Sequence, residues 1–178
     1  MWRENLAETF PATRLYTDAR LPLYRLYGFT SLFEKILEEK VWLDSGGFLV
    51  IQRTEAFTAI DVNSGKNTQK KEKEEVIYRL NMEAAQEICR QIRLRNLSGA
   101  VLVDFVNMED PGHLEALKSE MARLLKEDRI HSGVVDITKL QIMEITRNKT
   151  SPPVAEILDR LRKKSEKQVK TGEILIDE

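Results

Sequence analysis

The sequence predicts an α/β fold in which a mixed sheet is flanked by helices. Short runs rich in β-branched and aromatic residues alternate with longer segments whose apolar residues recur at helical spacing. Two apolar runs, 56–61 and 100–105, are separated by one long helical pattern, as in a βαβ unit with parallel strands. With 178 residues and 42% hydrophobic content, the chain can bury the core of one domain.

The first half of the chain begins with an irregular segment and then forms a hairpin. Prolines and a glycine interrupt residues 1–29, which we expect to be a lead-in from an upstream subdomain. Ser31 can cap a helix that runs to Lys40, because the apolar residues between them share one stripe. Runs 47–52 and 56–61 are separated by a short polar turn and predict an antiparallel hairpin.

The second half alternates helices and strands. A helix over about 72–95 follows the hairpin, and the continuous apolar run at 100–105 is typical of a central strand. Asp110 is suited to cap a helix with Pro111 at its first position. Two short strands follow, at 133–137 and 140–146.

A proline pair then separates the compact part from the end of the chain. We expect residues 30–150 to form one compact domain and residues 151–178 to form a charged tail, helical in conformation. The tail is rich in Lys and Glu and has few apolar positions.

Two aspartates each close an apolar strand-like run, Asp61 after 56–60 and Asp104 after 100–103. Because open α/β sheets bind ligands at the carboxyl ends of their strands, we expect both side chains at one edge of the sheet. Together with Asn63 they offer hard oxygen ligands, which suit Mg²⁺ when waters and a substrate phosphate complete its shell. Asp, Asn, Ser and Gly at 61–65 are also typical of an ordinary turn, and the residues alone leave both interpretations open.

Composition limits the possible partners and compartments. The 28 basic and 29 acidic residues give a net charge of −1, so any attraction to nucleic acid must come from local patches. The single cysteine excludes an internal disulfide or a multi-cysteine zinc site within one chain and fits a reducing compartment. No apolar run is long enough to span a bilayer, and the N-terminus lacks the apolar core of a signal peptide. We therefore expect a cytoplasmic protein with no membrane partner.

Lysines and aromatic residues near the aspartates have two interpretations each. Lys66 lies in a lysine-rich loop that could attract RNA phosphates, although such loops are more often simply solvated. Trp2, Trp42, Phe48 and Phe57 could stack on nucleobases, but aromatic residues in and near strands usually fill a core. We expect core positions for these four.

Several motifs follow one another in a fixed order along the chain. They are Gly46-Gly47-Phe48-Leu49-Val50-Ile51, Ala59-Ile60-Asp61-Val62-Asn63-Ser64-Gly65, Asn81-Met82-Glu83-Ala84-Ala85, Val103-Asp104-Phe105, Lys126-Glu127-Asp128-Arg129 and Met143-Glu144-Ile145-Thr146-Arg147. Taken together, they closely resemble the catalytic region of the ribonuclease E/G family over about residues 21–147. An ordered series of this kind is far more specific than any one motif.

The resemblance implies a fold, an activity and a site. It implies a DNase I-like catalytic domain over 30–150 and an endoribonuclease that cuts single-stranded RNA, prefers a 5′-monophosphorylated end and leaves a 5′-phosphate on the downstream product. Asp61 and Asp104 match the two aspartates that hold the catalytic Mg²⁺, for which Mn²⁺ can substitute, and Asn63 matches the asparagine that supports the reacting groups. Arg147 matches an arginine for which a phosphate contact is expected.

The chain departs from the family pattern in three places. Asn107 stands where the family usually has a second acidic residue after Asp104. The segment after Arg147 lacks the paired cysteines of the family's zinc link, so we expect no zinc and no zinc-linked dimer, while another homo-oligomer stays open. The family's S1 domain and 5′-phosphate sensor lie upstream, and residues 1–29 are too few to contain them, so we expect a catalytic fragment.

Two alternatives to a nuclease stay open. The first is a non-catalytic RNA-binding or assembly module that keeps the family fold but lacks the parts that capture substrate. The second is a purely structural domain whose aspartates cap turns.

Overall fold

A computed structural model of the chain describes residues 16–18, 20–65 and 73–171. The chain divides into two compact units, Met1–Ile36 and Leu37–Glu178. Helix α1 (Leu23–Leu26) lies in the first unit, and helix α2 (Phe29–Leu37) begins there and ends at the first residue of the second unit. The expected boundaries at residues 29 and 150 stay predictions.

Within its described residues, the second unit contains one sheet and three helices. Its strands are β1 (Lys40–Trp42), β2 (Phe48–Arg53), β3 (Phe57–Asn63), β4 (Gly99–Asp104), β5 (Ser132–Ile137) and β6 (Ile142–Arg147). Its helices are α3 (Lys73–Leu94), α4 (Pro111–Leu125) and α5 (Val154–Thr171).

The sheet is mixed, with the strand order β1-β2-β3-β4-β6-β5. Strands β3 and β4 pair in parallel, and every other neighbouring pair is antiparallel. Because β3, α3 and β4 follow one another in the chain, the predicted βαβ unit lies at the centre of the sheet. The predicted α/β fold class and the β2–β3 hairpin are confirmed.

Helices α3 and α4 pack on the same face of the sheet, which we call the closed face. Alternate strand residues point to it and are buried, because successive side chains in a strand face opposite ways. The buried strand residues include Leu49, Ile51, Ile60, Val62, Val101, Val103, Met143 and Ile145, and they form one core with the apolar stripes of α3 and α4. The other set of strand residues forms the open face, which the described helices leave half-buried or exposed.

Strand β1 was not predicted. The sequence pattern suggested a helix as far as Lys40, but α2 ends at Leu37 and the next residues pair with β2, Lys40 opposite Val50 and Trp42 opposite Phe48. A strand of three residues is too short to show a period of two, and its stability comes from pairing with β2, the next strand along the chain.

The single cysteine lies in the contact between the two core helices. Cys89 of α3 is 1% exposed, and its Sγ lies 3.2 Å from the Sδ of Met121 on α4. Burial in this apolar contact raises the pKa of the Cys89 thiol to about 12.

Among the helices that the structure describes, none is long and apolar enough to cross a membrane.

Candidate active site

The two strand-ending aspartates lie side by side in the parallel pair. Asp104 is the last residue of β4, and its Cα partner in β3 is Asp61. Both side chains are exposed on the open face, whereas their strand neighbours Ile60 and Val103 are buried on the closed face. The structure therefore brings together the two carboxylates that the sequence singled out.

Asn63 belongs to the same site. It lies two residues after Asp61 on the same face of β3, and its Nδ2 donates a hydrogen bond of 2.7 Å to Oδ2 of Asp61. Asn63 is half-buried and has Phe48 of β2 as its Cα partner. The amide thus fixes the orientation of one of the two carboxylates.

Two glycine-containing turns pack together where β3 ends. Gly46 and Gly65 have φ angles of +88° and +68°, in the left-handed region that favours glycine. A Cβ on Gly47 would lie 2.8 Å from the carbonyl oxygen of Asn63, and one on Gly65 would lie 2.8 Å from the carbonyl oxygen of Gly46. Glycine is therefore needed here so that the backbone beside Asn63 can approach the β1–β2 turn.

Asn81 holds the segment that follows Asp104, and sequence reasoning assigned it no role. Its side chain is fully buried, donates to the carbonyl oxygen of Val106 at 2.7 Å and accepts from the N–H of Val106 at 3.2 Å. The signal in the sequence is a polar residue on the apolar stripe of α3, between Ile77 and Ala85. A buried amide needs such partners, so its position indicates a structural clamp.

Glu74, in the first turn of α3, holds the same segment further along. Its carboxylate accepts from the N–H groups of Asp110 at 3.1 Å and Glu109 at 3.2 Å, and it lies 3.2 Å from Nδ1 of His113. The two backbone donors hold the pKa of Glu74 below its ordinary value. The ring of His113 stacks on Tyr78 with the centroids 4.3 Å apart. Helix α3 therefore fixes the chain between Asp104 and α4 at two points.

Arg147 lies away from the aspartates and is occupied by protein groups. It points to the closed face, is 3% exposed, and its Cα partner in β4 is Gly99, at the opposite end of the strand from Asp104. Its guanidinium donates to Asp128 Oδ2 at 2.8 Å, Asn96 Oδ1 at 2.8 Å and the Leu97 carbonyl at 2.9 Å. In this geometry the Arg147 side chain links β6 to the segments that follow α3 and α4. It cannot reach a phosphate bound at the aspartates.

Lys66, the other residue expected to contact RNA, lies outside the described residues.

The donor set suits a cation that shares its shell with substrate and water. Within the described residues, no group of three or more His, Cys, Asp and Glu side chains could hold a metal ion by itself. Two exposed carboxylates, Asp61 and Asp104, are the arrangement expected for Mg²⁺, which binds through one or two carboxylates and keeps waters and substrate phosphates as its other ligands. The residues present therefore fit bound Mg²⁺ better than a structural metal ion, which takes all its ligands from the protein.

Comparison with known proteins finds similarity to one family over most of this chain. The model of the ribonuclease E/G family matches residues 2–150. Ribonuclease G of Salmonella typhimurium is 35% identical over 137 residues, which cover 77% of this chain and 28% of that protein. Ribonuclease E of Escherichia coli is 37% identical over 143 residues, which cover 80% of this chain and 13% of that protein. The chain thus spans about a quarter of the length of its ribonuclease G relatives, and less of ribonuclease E.

Proposed function

This chain belongs to the ribonuclease E/G family, and on that basis we propose that it is the catalytic module of a Mg²⁺-dependent endoribonuclease. The proposed substrate is single-stranded RNA, and the proposed downstream product carries a 5′-phosphate. One observation carries the proposal: Asp61 and Asp104 are partners in the parallel pair, and both are exposed on the open face. Asn63, hydrogen-bonded to Asp61, completes the proposed site.

The charge of the site explains why a cation is part of the proposal. Two neighbouring carboxylates repel an RNA phosphate, and a divalent cation between them and the phosphate reverses the sign of that interaction. Bound by Asp61 and Asp104, Mg²⁺ would withdraw charge from the scissile phosphate and lower the pKa of the attacking water. Mn²⁺ prefers similar oxygen ligands and is the proposed substitute.

The protein's own contribution is orientation. The hydrogen bond from Asn63 limits rotation of the Asp61 carboxylate, and the Asn81 clamp on Val106 fixes the chain just after Asp104. Both aspartates stand on central strands whose other faces are buried in the core, so their separation is set by the sheet. A rigid pair of this kind is preorganised to bind its ligand before the substrate arrives.

The test is cleavage of a 5′-monophosphorylated single-stranded RNA by the full chain and by its Asp61→Asn and Asp104→Asn variants. Losing one charged ligand should remove about 3 kcal/mol of transition-state stabilisation, which is roughly a hundredfold in rate. EDTA should abolish cleavage, and Mg²⁺ or Mn²⁺ should restore it. A 5′-phosphate-dependent exonuclease should degrade the downstream product.

Asp136→Asn is the matched control, because it is the same chemical change on the edge strand β5, where the Asp136 side chain is 71% exposed. It should cleave like the wild type. All three variants should unfold within about 0.5 kcal/mol of the wild type, as exposed substitutions usually do.

Unchanged cleavage by Asp61→Asn or Asp104→Asn would show that the site is wrong. RNA binding without cleavage by the wild type would support the non-catalytic module instead.

A further inference from the structure

An exposed aromatic pair lies on the open face beside the proposed site. Trp42 of β1 is 64% exposed, and Phe48 of β2 is half-buried. Their ring centroids are 5.3 Å apart with the planes inclined at 60°. The expectation that the aromatic residues fill a core is wrong for Trp42, which offers most of its surface to a ligand, and for Phe57, which is also exposed. Trp2 lies outside the described residues.

A cation accompanies the two rings. The Nζ of Lys40 lies 4.0 Å from the centroid of the Trp42 ring and 3.7 Å from that of the Phe48 ring. At these distances the ammonium group is attracted to both rings, which limits their motion. It also places a positive charge beside a large apolar surface, a combination that suits a nucleotide with its flat base and charged phosphate.

The strand register connects this group directly to the proposed site. Trp42 pairs with Phe48, and Phe48 pairs with Asn63. Two residues along the strands, Lys40 pairs with Val50, which in turn pairs with Asp61. Neighbouring strands are about 4.8 Å apart, so two strand spacings, roughly 10 Å, separate the backbone of Trp42 from that of Asn63.

We propose that Trp42, Phe48 and Lys40 form a stacking subsite for a base of single-stranded RNA, close to the phosphate held at the aspartates. This inference rests on the proposed function. A base stacks on an aromatic face whatever its identity, so the subsite adds affinity without strong sequence preference. Lys40 adds a phosphate contact that weakens with salt. Without a bound cation the aspartates repel phosphates, and stacking of the base and the charge of the ammonium group offset that repulsion.

The experiment uses the intrinsic fluorescence of Trp42. The chain has two tryptophans, so a Trp2→Phe background leaves Trp42 as the only tryptophan, and excitation at the red edge of the absorption band selects it over the tyrosines. A 2′-O-methylated ten-nucleotide single strand is titrated into this protein with Mg²⁺ present, and gel electrophoresis after the titration checks that the strand is intact. We expect saturable quenching, and no quenching from an abasic strand of the same length and charge.

Affinity measurements on variants separate stacking from a structural effect. Trp42→Ala should weaken binding of the base-containing strand by about tenfold and leave binding of the abasic strand unchanged, while Trp42→Phe should recover most of the loss. Lys40→Met should reduce the slope of log affinity against log salt by about 0.7. Val135→Ala is the control, since Val135 is 60% exposed on the opposite edge strand.

Equal quenching by the abasic strand, or equal loss of its binding in Trp42→Ala, would overturn the subsite. Wild-type affinity in Trp42→Ala would do the same and would leave a protein partner as the occupant of this surface. If Asp61→Asn abolishes cleavage while Trp42→Ala binds normally, the subsite fails and the proposed function stands. Base-dependent quenching without any cleavage supports the subsite and overturns the proposed function.

Discussion

Charged side chains have opposite surroundings on the two faces of the sheet. On the closed face, Asp128 contacts the buried guanidinium of Arg147, and the side chains of this pair are 5% and 3% exposed. On the open face, Asp61 and Asp104 are exposed neighbours of like charge. The buried carboxylate has its countercharge built into the fold, whereas the exposed pair forms no ion pair with the described part of the chain and is open to a cationic ligand.

This contrast separates residues that hold the fold from residues available for chemistry. Asn81 and Asn63 illustrate it on a smaller scale, since each amide orients a neighbour through hydrogen bonds. Asn81 does so from full burial and clamps backbone, while Asn63 acts at the surface on a carboxylate. Substitutions on the closed face should therefore mainly change the free energy of unfolding. Substitutions on the open face should mainly change RNA binding or the cleavage rate.

The largest expected effect is loss of the buried ion pair. Arg147→Met should destabilise the fold by about 3–5 kcal/mol, because it leaves the Asp128 carboxylate buried without its partner. Urea unfolding followed by circular dichroism measures this cost. Arg79→Met breaks an ion pair with Glu75 whose side chains are 77% and 53% exposed, and it should cost less than about 1 kcal/mol.

The double variant Arg147→Met, Asp128→Leu sharpens the same comparison. Removing both charges should recover much of the lost stability, since the cost arises from an unpaired buried charge. If the double variant is no more stable than Arg147→Met, the shape of the guanidinium contributes more to stability than its charge. The contrast in charge between the two faces would then be weaker.

A smaller effect is expected from Asn81→Ala. Both hydrogen bonds to Val106 would be lost, which should cost about 1–3 kcal/mol. Amide hydrogen exchange should show faster exchange at Val106, and cleavage should fall because the chain after Asp104 is less well fixed. Gln86→Ala is the control on an exposed position of α3. An unchanged exchange rate at Val106 would argue against the clamp.

The smallest expected effect is a dependence of stability on acid pH. Burial alone would raise the pKa of Asp128, but hydrogen bonds from Arg147 and from the N–H of Ile130 outweigh it and leave the pKa below its ordinary value. A carboxyl group with a lowered pKa in the folded state stabilises the fold above its unfolded pKa of about 3.9 and loses that contribution as the pH falls through the folded value.

Unfolding free energies between pH 7 and pH 2 test this sign. The wild type should lose stability below about pH 4, and Asp128→Asn should lose less over the same interval. Asp136→Asn is the control, because it makes the same chemical change on a side chain that is 71% exposed. Identical acid losses in the wild type and Asp128→Asn would contradict the expected role of the pair.

The sequence predicted the centre of this molecule better than its edges. The position of Asp61 beside Asp104 follows from two strand-like runs separated by one long helix, because parallel strands bring their carboxyl ends to one edge. The three residues of β1 gave no such signal, since their pairing with β2 depends on a segment outside their own pattern.

The local sequence pattern also did not predict which strand residues are buried and which are exposed. Trp42 looks like a core residue in sequence, yet it points to the face that the described helices leave open. Arg147 is the reverse case: the motif around it suggested a surface contact with phosphate, and the structure buries it. In both cases the outcome depends on which face α3 and α4 cover, and that is decided by packing between distant segments.

The rate at which the buried thiol is labelled can report how often this protein opens. Cys89 is the only cysteine, it is 1% exposed between α3 and α4, and burial raises the pKa of its thiol to about 12. A thiol-labelling reagent can therefore react only after the two helices separate. At high reagent concentration the labelling rate reports how often they separate, and at low concentration it reports how large a fraction is open. Such measurements need neither denaturant nor heat, and they would rank closed-face variants under the conditions in which RNA binding is measured.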